Sequence, residues 1–311
     1  MTVCNERTEI RKGDPRYPES LLDLPDAPNI LYVRGDPTAL QAPAIAIIGA
    51  RDATPYGLAI AETMATVAAQ AGIAVVSGGA RGVDCAAGCA CLKAGGTHIA
   101  VLGGGADVIY PRSSEPMLER TLETGGAVIS IQPWGAQPRP YTFPRRNRVI
   151  AALSRAVCVT EAGLPSGTFS TADAAFEIGR EVLAVPGSIL SPNSRGSNHL
   201  IANGACCIAD EESLEVAISR IFGVLRYVRQ DPAARRSADP QEQTLMAALT
   251  ASPLRSDDIA SLLELDPISC LAYLSSLEVD GKIERLVDGR FSPTVHALHE
   301  PSSIMHNVRN G

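Results

Sequence analysis

Between Ala44 and Cys207 short apolar runs alternate with longer amphipathic stretches, a pattern that limits the chain to repeated β-α units around a parallel sheet. Parallel strands are buried on both faces and so read as unbroken apolar runs. Ala44 to Ile48, Ile73 to Ser77, His98 to Leu102, Ala127 to Ser130, Ala156 to Thr160 and Glu181 to Val185 read that way. Helices are expected between them, near 56–71, 83–94, 113–124, 147–154 and 168–179. A short strand at 206–209 and a helix from Glu211 to about Phe222 close the domain. Only 4% of residues are aromatic, so small side chains must let helices lie close to strands, as an α/β protein requires.

Residues 1–40 are richer in Pro and Asp and are expected to form an irregular segment packed on a core domain of residues 41–228. The polar, Pro-containing stretch 229–240 marks a linker. After it, residues 241–295 change character: Ser256-Asp257-Asp258 cap a helix to Leu265, Asp266-Pro267 start a second through Val279, and Lys282 to Phe291 form a hairpin. That order is a winged helix. Its second helix contains no Arg or Lys, which argues against reading duplex DNA and for a protein-contacting or regulatory role. Residues 296–311 are expected to be a flexible tail.

No stretch approaches ~20 uninterrupted apolar residues, and the first residues lack the apolar centre of a signal peptide, so a cytoplasmic protein without membrane contact is expected. The eight cysteines fall mostly within apolar runs and are expected to be reduced and buried. Cys85, Cys89 and Cys91 lack metal-site spacing, so no metal and no cofactor are expected. The formal net charge of -7 excludes a generally basic coat for nucleic acid. Any such contact must be local. Between Glu123 and Glu161 no acidic residue occurs, while Arg139, Arg145, Arg146, Arg148 and Arg155 do.

Four of the predicted strands run directly into glycine-bearing loops: Gly49-Ala50-Arg51, Ser77-Gly78-Gly79-Ala80-Arg81-Gly82, Gly103-Gly104-Gly105, and Glu161 to Thr168 with Ser166-Gly167-Thr168. At the ends of parallel strands, loop amides and helix N-termini point outward and favour anions. Each glycine alone is explained as readily by a tight turn. Four in register, two with an arginine, point to phosphate. The P-loop pattern and the dinucleotide pattern are both absent. Phe143-Pro144 ahead of Arg145, Arg146, Asn147 and Arg148 places the cations on the first turn of a helix, with Arg146 and Arg148 on different faces. Several phosphates in a row fit this run better than one. The five histidines have no nucleophile or carboxylate at motif spacing, and no catalytic residue is assigned. A nucleoside-monophosphate hydrolase with Glu161 as acid or base is the competing possibility.

The chain resembles the DNA-processing protein A family, also called DprA or Smf. The resemblance runs through Ile47-Ile48-Gly49-Ala50-Arg51, Val76-Ser77-Gly78-Gly79-Ala80-Arg81-Gly82-Val83-Asp84, Ala100-Val101-Leu102-Gly103, Tyr110-Pro111, Phe143 to Ile150, Ser166-Gly167-Thr168 and Gly196 to Ile201. It implies an extended Rossmann-like, doubly wound, mostly parallel sheet with a small C-terminal winged-helix domain. It also implies a homodimer that binds single-stranded DNA and loads a RecA-type recombinase onto incoming strands in natural transformation. DNA contacts would then come from Arg51, Ser77 to Arg81, Arg145 to Arg148 and Ser166-Gly167-Thr168. The family usually has Gly-Thr-Arg or Gly-Ser-Arg at Gly49-Ala50-Arg51, a histidine at Gly88, and a Ser-Glu-Tyr-Pro-like run at Ser130-Ile131-Gln132-Pro133.

Overall fold

The computed structural model describes residues 6–224 and 239–299. They divide between a larger unit, residues up to 53 with 60–224, and a smaller one, 54–59 with 239–299.

The larger unit is built on a nine-stranded sheet. Seven strands are parallel: β3 (Ala44–Ile48), β4 (Ala74–Ser77), β5 (His98–Val101), β6 (Ala127–Ser130), β7 (Ala156–Val159), β8 (Glu181–Ala184) and β9 (Cys206–Cys207). Their spatial order, β6-β5-β4-β3-β7-β8-β9, reverses direction at β3. Ala46 pairs with Val76 of β4 on one side and Val157 of β7 on the other. Such a reversal leaves a crevice at the carboxyl ends of the two strands, where the chain winds off to opposite faces. The connecting helices are α1 (Pro55–Gln70), which belongs to this unit from Ile60 onward, α2 (Val83–Lys93), α3 (Glu115–Glu123), α4 (Thr142–Leu153), α5 (Phe169–Glu177), α6 (Arg195–Ala202) and α7 (Glu211–Phe222). The strand interiors are Ala, Val and Ile, almost all buried, so both faces of the sheet belong to the core.

Residues 6–40 are not the irregular segment expected, and residues 1–5 lie outside the described residues. Arg7–Arg11 (β1) and Ile30–Gly35 (β2) are antiparallel strands that extend the sheet, with Glu9 opposite Tyr32 and Val33 opposite Ile129 of β6. The short 3-10 turn Pro37–Gln41 and the Pro- and Asp-rich stretch between the two strands lack strand structure. In the latter, Tyr17, Leu21 and Leu24 are buried in the main core, and the Tyr17 hydroxyl donates to the Pro28 carbonyl at 2.7 Å.

Helix α4 starts at Thr142, five residues before the expected start at Asn147. Pro144 is its third residue, where the missing N–H has no intrahelical acceptor to lose. The arginines therefore lie in the second turn, not the first. Helix α6 was not expected from the sequence.

The smaller unit comprises α8 (Pro240–Ala251), α9 (Ser256–Leu262), α10 (Pro267–Val279), a hairpin of β10 (Ile283–Arg285) and β11 (Phe291–Pro293), and α11 (Val295–His299). Asp266 caps α10 by accepting from the Ile268 and Ser269 N–H groups, and α10 buries Cys270, Leu274 and Leu277 on one stripe against Leu245, Ile259 and Phe291. The expected linker lies outside the described residues except for Asp239 and Pro240. Of the expected tail, residues 296–299 are helical and the rest lie outside the described residues.

Among the described residues Cys91, Cys158 and Cys270 are buried as expected, whereas Cys85 and Cys206 are only partly buried and Cys89 and Cys207 are exposed. Among the described residues no helix is long and apolar enough to cross a membrane.

Candidate nucleic-acid interface

Strands β5, β4, β3 and β7 are parallel neighbours, so the loops that follow them emerge on one edge of the sheet. The loops are also tied together. The Ala50 N–H donates to the Glu161 carbonyl at 2.8 Å, and the Val83 N–H, at the start of α2, donates to the Ala50 carbonyl at 3.2 Å. Gly82 makes this approach possible. Its φ is +74°, and a Cβ there would strike the carbonyl oxygens of Ala50 and Arg51.

The charged centre is Arg146, which is only 5% exposed. Its Nη1 donates to the Val101 carbonyl at 2.9 Å, and its guanidinium lies under the Gly78 backbone, where a Cβ would collide with it. Beside it is buried Asp84, whose Oδ2 accepts from the Gly78 N–H at 2.9 Å and the Ala80 N–H at 3.4 Å. Burial pushes the Asp84 carboxyl up despite the neighbouring guanidinium, and holds Arg146 down to about 10. Arg146 thus stays charged at neutral pH, while its buried Nε has no hydrogen-bond partner.

Phe143, one turn earlier on α4, gathers the cations. The Arg51 guanidinium carbon lies 5.7 Å from the Phe143 ring centroid and that of Arg146 lies 5.8 Å from it, both within cation–π range. The exposed Tyr110 ring stands 6.3 Å away, tilted by 49°. Phe143 packs against the Gly103 backbone so closely that a Cβ at Gly103 would strike the ring. Two concavities open beside this group. One, of about 540 Å³, is lined by Gly49, Arg51, Asn147, Ser166, Gly167 and Thr168 among others. The second, of about 220 Å³, is lined by Gly78, Arg81, Gly103, Tyr110 and Pro111. Arg51, Ala80, Phe143 and Arg146 line both, which makes one continuous trough.

The structure brings most of the expected residues to this trough, with four corrections, at Ser77, Gly79, Arg145 and Arg148. Ser77 is fully buried, its Oγ 3.1 Å from His98 Nε2, so its hydroxyl is a core group. Arg148 is turned away to two carboxylates, Asp26 at 3.1 Å and Glu177 at 2.8 Å, because it sits on another face of α4 from Arg146. Arg145 is exposed but lines a different concavity. Gly79 is buried beneath the loop and contributes its turn, at φ +65°. Asn147 connects helices: its Nδ2 donates to Ser170 Oγ at 2.6 Å at the start of α5. Arg81 pairs with Asp52 at 2.8 Å, both side chains largely exposed, an ion pair weak enough to yield to a phosphate. Phe143 and Tyr110 were not assigned to the site from sequence, whereas Asp84 was expected beside it as an acid, a helix cap or a group orienting an arginine. Aromatics interleaved with arginines were the available signal for the first two.

The family model described as DNA recombination-mediator protein A matches residues 8–218, and that of the DprA winged helix domain matches 229–289. The chain is 41% identical to Protein Smf of Escherichia coli over 198 residues, 64% of this chain and 53% of that one. It is 40% identical to the DNA processing protein DprA of Streptococcus pneumoniae over 192 residues, 62% of this chain and 67% of that one. The crystal structure of the Streptococcus pneumoniae protein superposes with a TM-score of 0.64 at 36% identity, covering 68% of this chain and 74% of that one. A structure of DNA processing protein A from Helicobacter pylori, solved for its single-stranded DNA binding mode, gives 0.64 at 28% identity and covers 71% of this chain and all of the other. With a match over more than half its length, carrying both the sheet and the trough, this chain belongs to the DNA recombination-mediator protein A family, DprA or Smf.

Proposed function

We propose that this chain is a cytoplasmic, homodimeric single-stranded DNA-binding protein without enzymatic activity of its own, which loads a RecA-type recombinase onto incoming DNA in natural transformation and recombination. The observation that carries the DNA part is the Arg51–Phe143–Arg146 group at the meeting of two concavities. Two cations beside an aromatic ring suit a polymer that alternates phosphates with bases, and an extended trough is more than a mononucleotide needs. The single-stranded DNA binding mode of the Helicobacter pylori relative agrees with it. The mediator part is supported by the family's own description. Nucleoside-monophosphate hydrolysis is less well supported. Glu161 is buried and is not among the residues lining either concavity, and Asp84, which lines the larger, is held by two amides beside Arg146.

Fluorescence anisotropy with labelled single strands tests the DNA part. Phe143→Ala is expected to weaken binding by about 5- to 150-fold, the cost of one lost stacking contact of about 1–3 kcal/mol. Unchanged affinity in both Phe143→Ala and Arg51→Ala removes the trough as the binding site. Recombinase filament growth on strands coated with single-strand-binding protein tests the mediator part, with acceleration by this chain as the expected result.

A further inference from the structure

Helix α4 has a second working face. Phe143, Arg146, Asn147 and Ile150 look into the trough, whereas Arg145, Arg148 and Val149, spaced at i, i+3 and i+4, line a separate concavity of about 270 Å³. Its opposite walls come from Asn29, Ile30 and Tyr32 of the β2 strand and the residues before it, and from Ile131 and Gln132 just after β6. Asp26 also lines it, but the Asp26 carboxylate is paired with Arg148 at 3.1 Å, and Arg148 is further held by Glu177. Arg145 is exposed at this site.

The lining has the chemistry of a nucleobase site. Tyr32 and Ile131 offer aromatic and apolar walls, the Asn29 and Gln132 amides both donate and accept as a base edge does, and Arg145 supplies a cation for the adjoining phosphate. The aromatic surface continues beyond the concavity. The Tyr32 ring meets Trp134 edge-on at 5.3 Å, and the Arg7 guanidinium lies 5.2 Å from the Trp134 centroid. We infer that this concavity is a second nucleotide subsite, taking one base of a strand that has crossed α4 from the trough. The helix is ~10 Å across, a distance that about three stacked nucleotides span at ~3.4 Å each. This inference rests on the proposed single-strand binding and adds a second, separable site to it.

Trp134 is the sole tryptophan of the chain, so its emission reports on this region. Oligothymidylates of about 4, 8 and 12 nucleotides, within the usual range of single-strand site sizes, are titrated into the wild-type protein and into Gln132→Glu. The shortest strand is expected to bind both proteins alike. For wild type, the longer strands are expected to bind about 10-fold tighter and to change Trp134 emission, and Gln132→Glu is expected to lose both the gain and the signal. The subsite is overturned if Gln132→Glu retains the full length-dependent gain, or if long strands bind wild type without altering its emission. Absence of binding at every length is a different result: it removes single-strand binding itself, and the subsite with it.

Discussion

Replacing Arg146 by Met tests whether the buried cation is a structural keystone as well as a phosphate ligand. The guanidinium faces a carboxylate, Asp84, that is 6% exposed and keeps only two backbone donors once the charge is gone. The two lie beside one another without a direct hydrogen bond, so the cost of removing the cation is that of leaving a buried polar group uncompensated, about 1–3 kcal/mol. For a unit of this size that is a fall in Tm of ~2–12 °C. The assay is urea denaturation followed by far-UV circular dichroism, with Asp84→Asn and the double variant completing the cycle. The double variant is expected to be more stable than Arg146→Met, since no orphaned charge remains. The pH dependence has a definite sign. Burial already raises Asp84 above its unfolded value, and loss of the guanidinium raises it further. A raised carboxyl contributes stability at low pH that is lost as pH rises through the folded value. The deficit of Arg146→Met relative to wild type is therefore expected to shrink on acidification. A loss below ~1 kcal/mol at neutral pH, or a double variant weaker than the single one, would refute the keystone role.

Four further outcomes are expected. Arg51→Ala should lower the slope of log affinity against log salt by about 0.7, the value for one phosphate contact on a single strand, whereas Arg148→Ala, already neutralised by Asp26 and Glu177, should leave it unchanged. Gly82→Ala forces a side chain into a positive-φ position against two carbonyls, so thermal melting should show a loss of about 1–3 kcal/mol. Burial holds His98 down to about 4; a depressed base contributes stability that is complete above its unfolded value near 6.5 and is lost as pH falls toward 4. His98→Gln should flatten that arm of the stability–pH curve by up to ~1.4 kcal/mol per pH unit, as read from denaturant midpoints. The neighbouring Cys85 thiol holds exposed Cys89 below its ordinary value, so mass-mapped alkylation should label Cys89 while buried Cys91 and Cys158 stay unlabelled.

The parallel strands were legible because burial on both faces leaves only apolar residues, as in Ala44–Ile48 and Ala156–Val159. The antiparallel strands β1 and β2 were not, since an edge strand such as Arg7–Arg11 is largely exposed and alternates charge with a few apolar residues, as a loop does. The glycines that follow adjacent strands do come to one edge of the sheet, as the parallel order implied. What sequence did not reveal was the fate of each cation. Arg146 and Arg148 look equivalent in a basic run, yet one is buried beside a carboxylate 62 positions earlier and the other is captured by Asp26 and Glu177. Those partners are set by tertiary packing, which local spacing does not encode. Ser77 misled for a related reason: it follows the apolar run of β4, and its hydroxyl points back into the core toward His98.

The two flanks of the large sheet have a consequence for self-association. One ends in β1, five residues bearing Arg7, Glu9 and Arg11, and the other in β9, two residues long. Short or charged borders are poor templates for recruiting another strand. The homodimer proposed above would therefore be built on helical or loop surfaces, and such a pair could separate without tearing a shared backbone ladder.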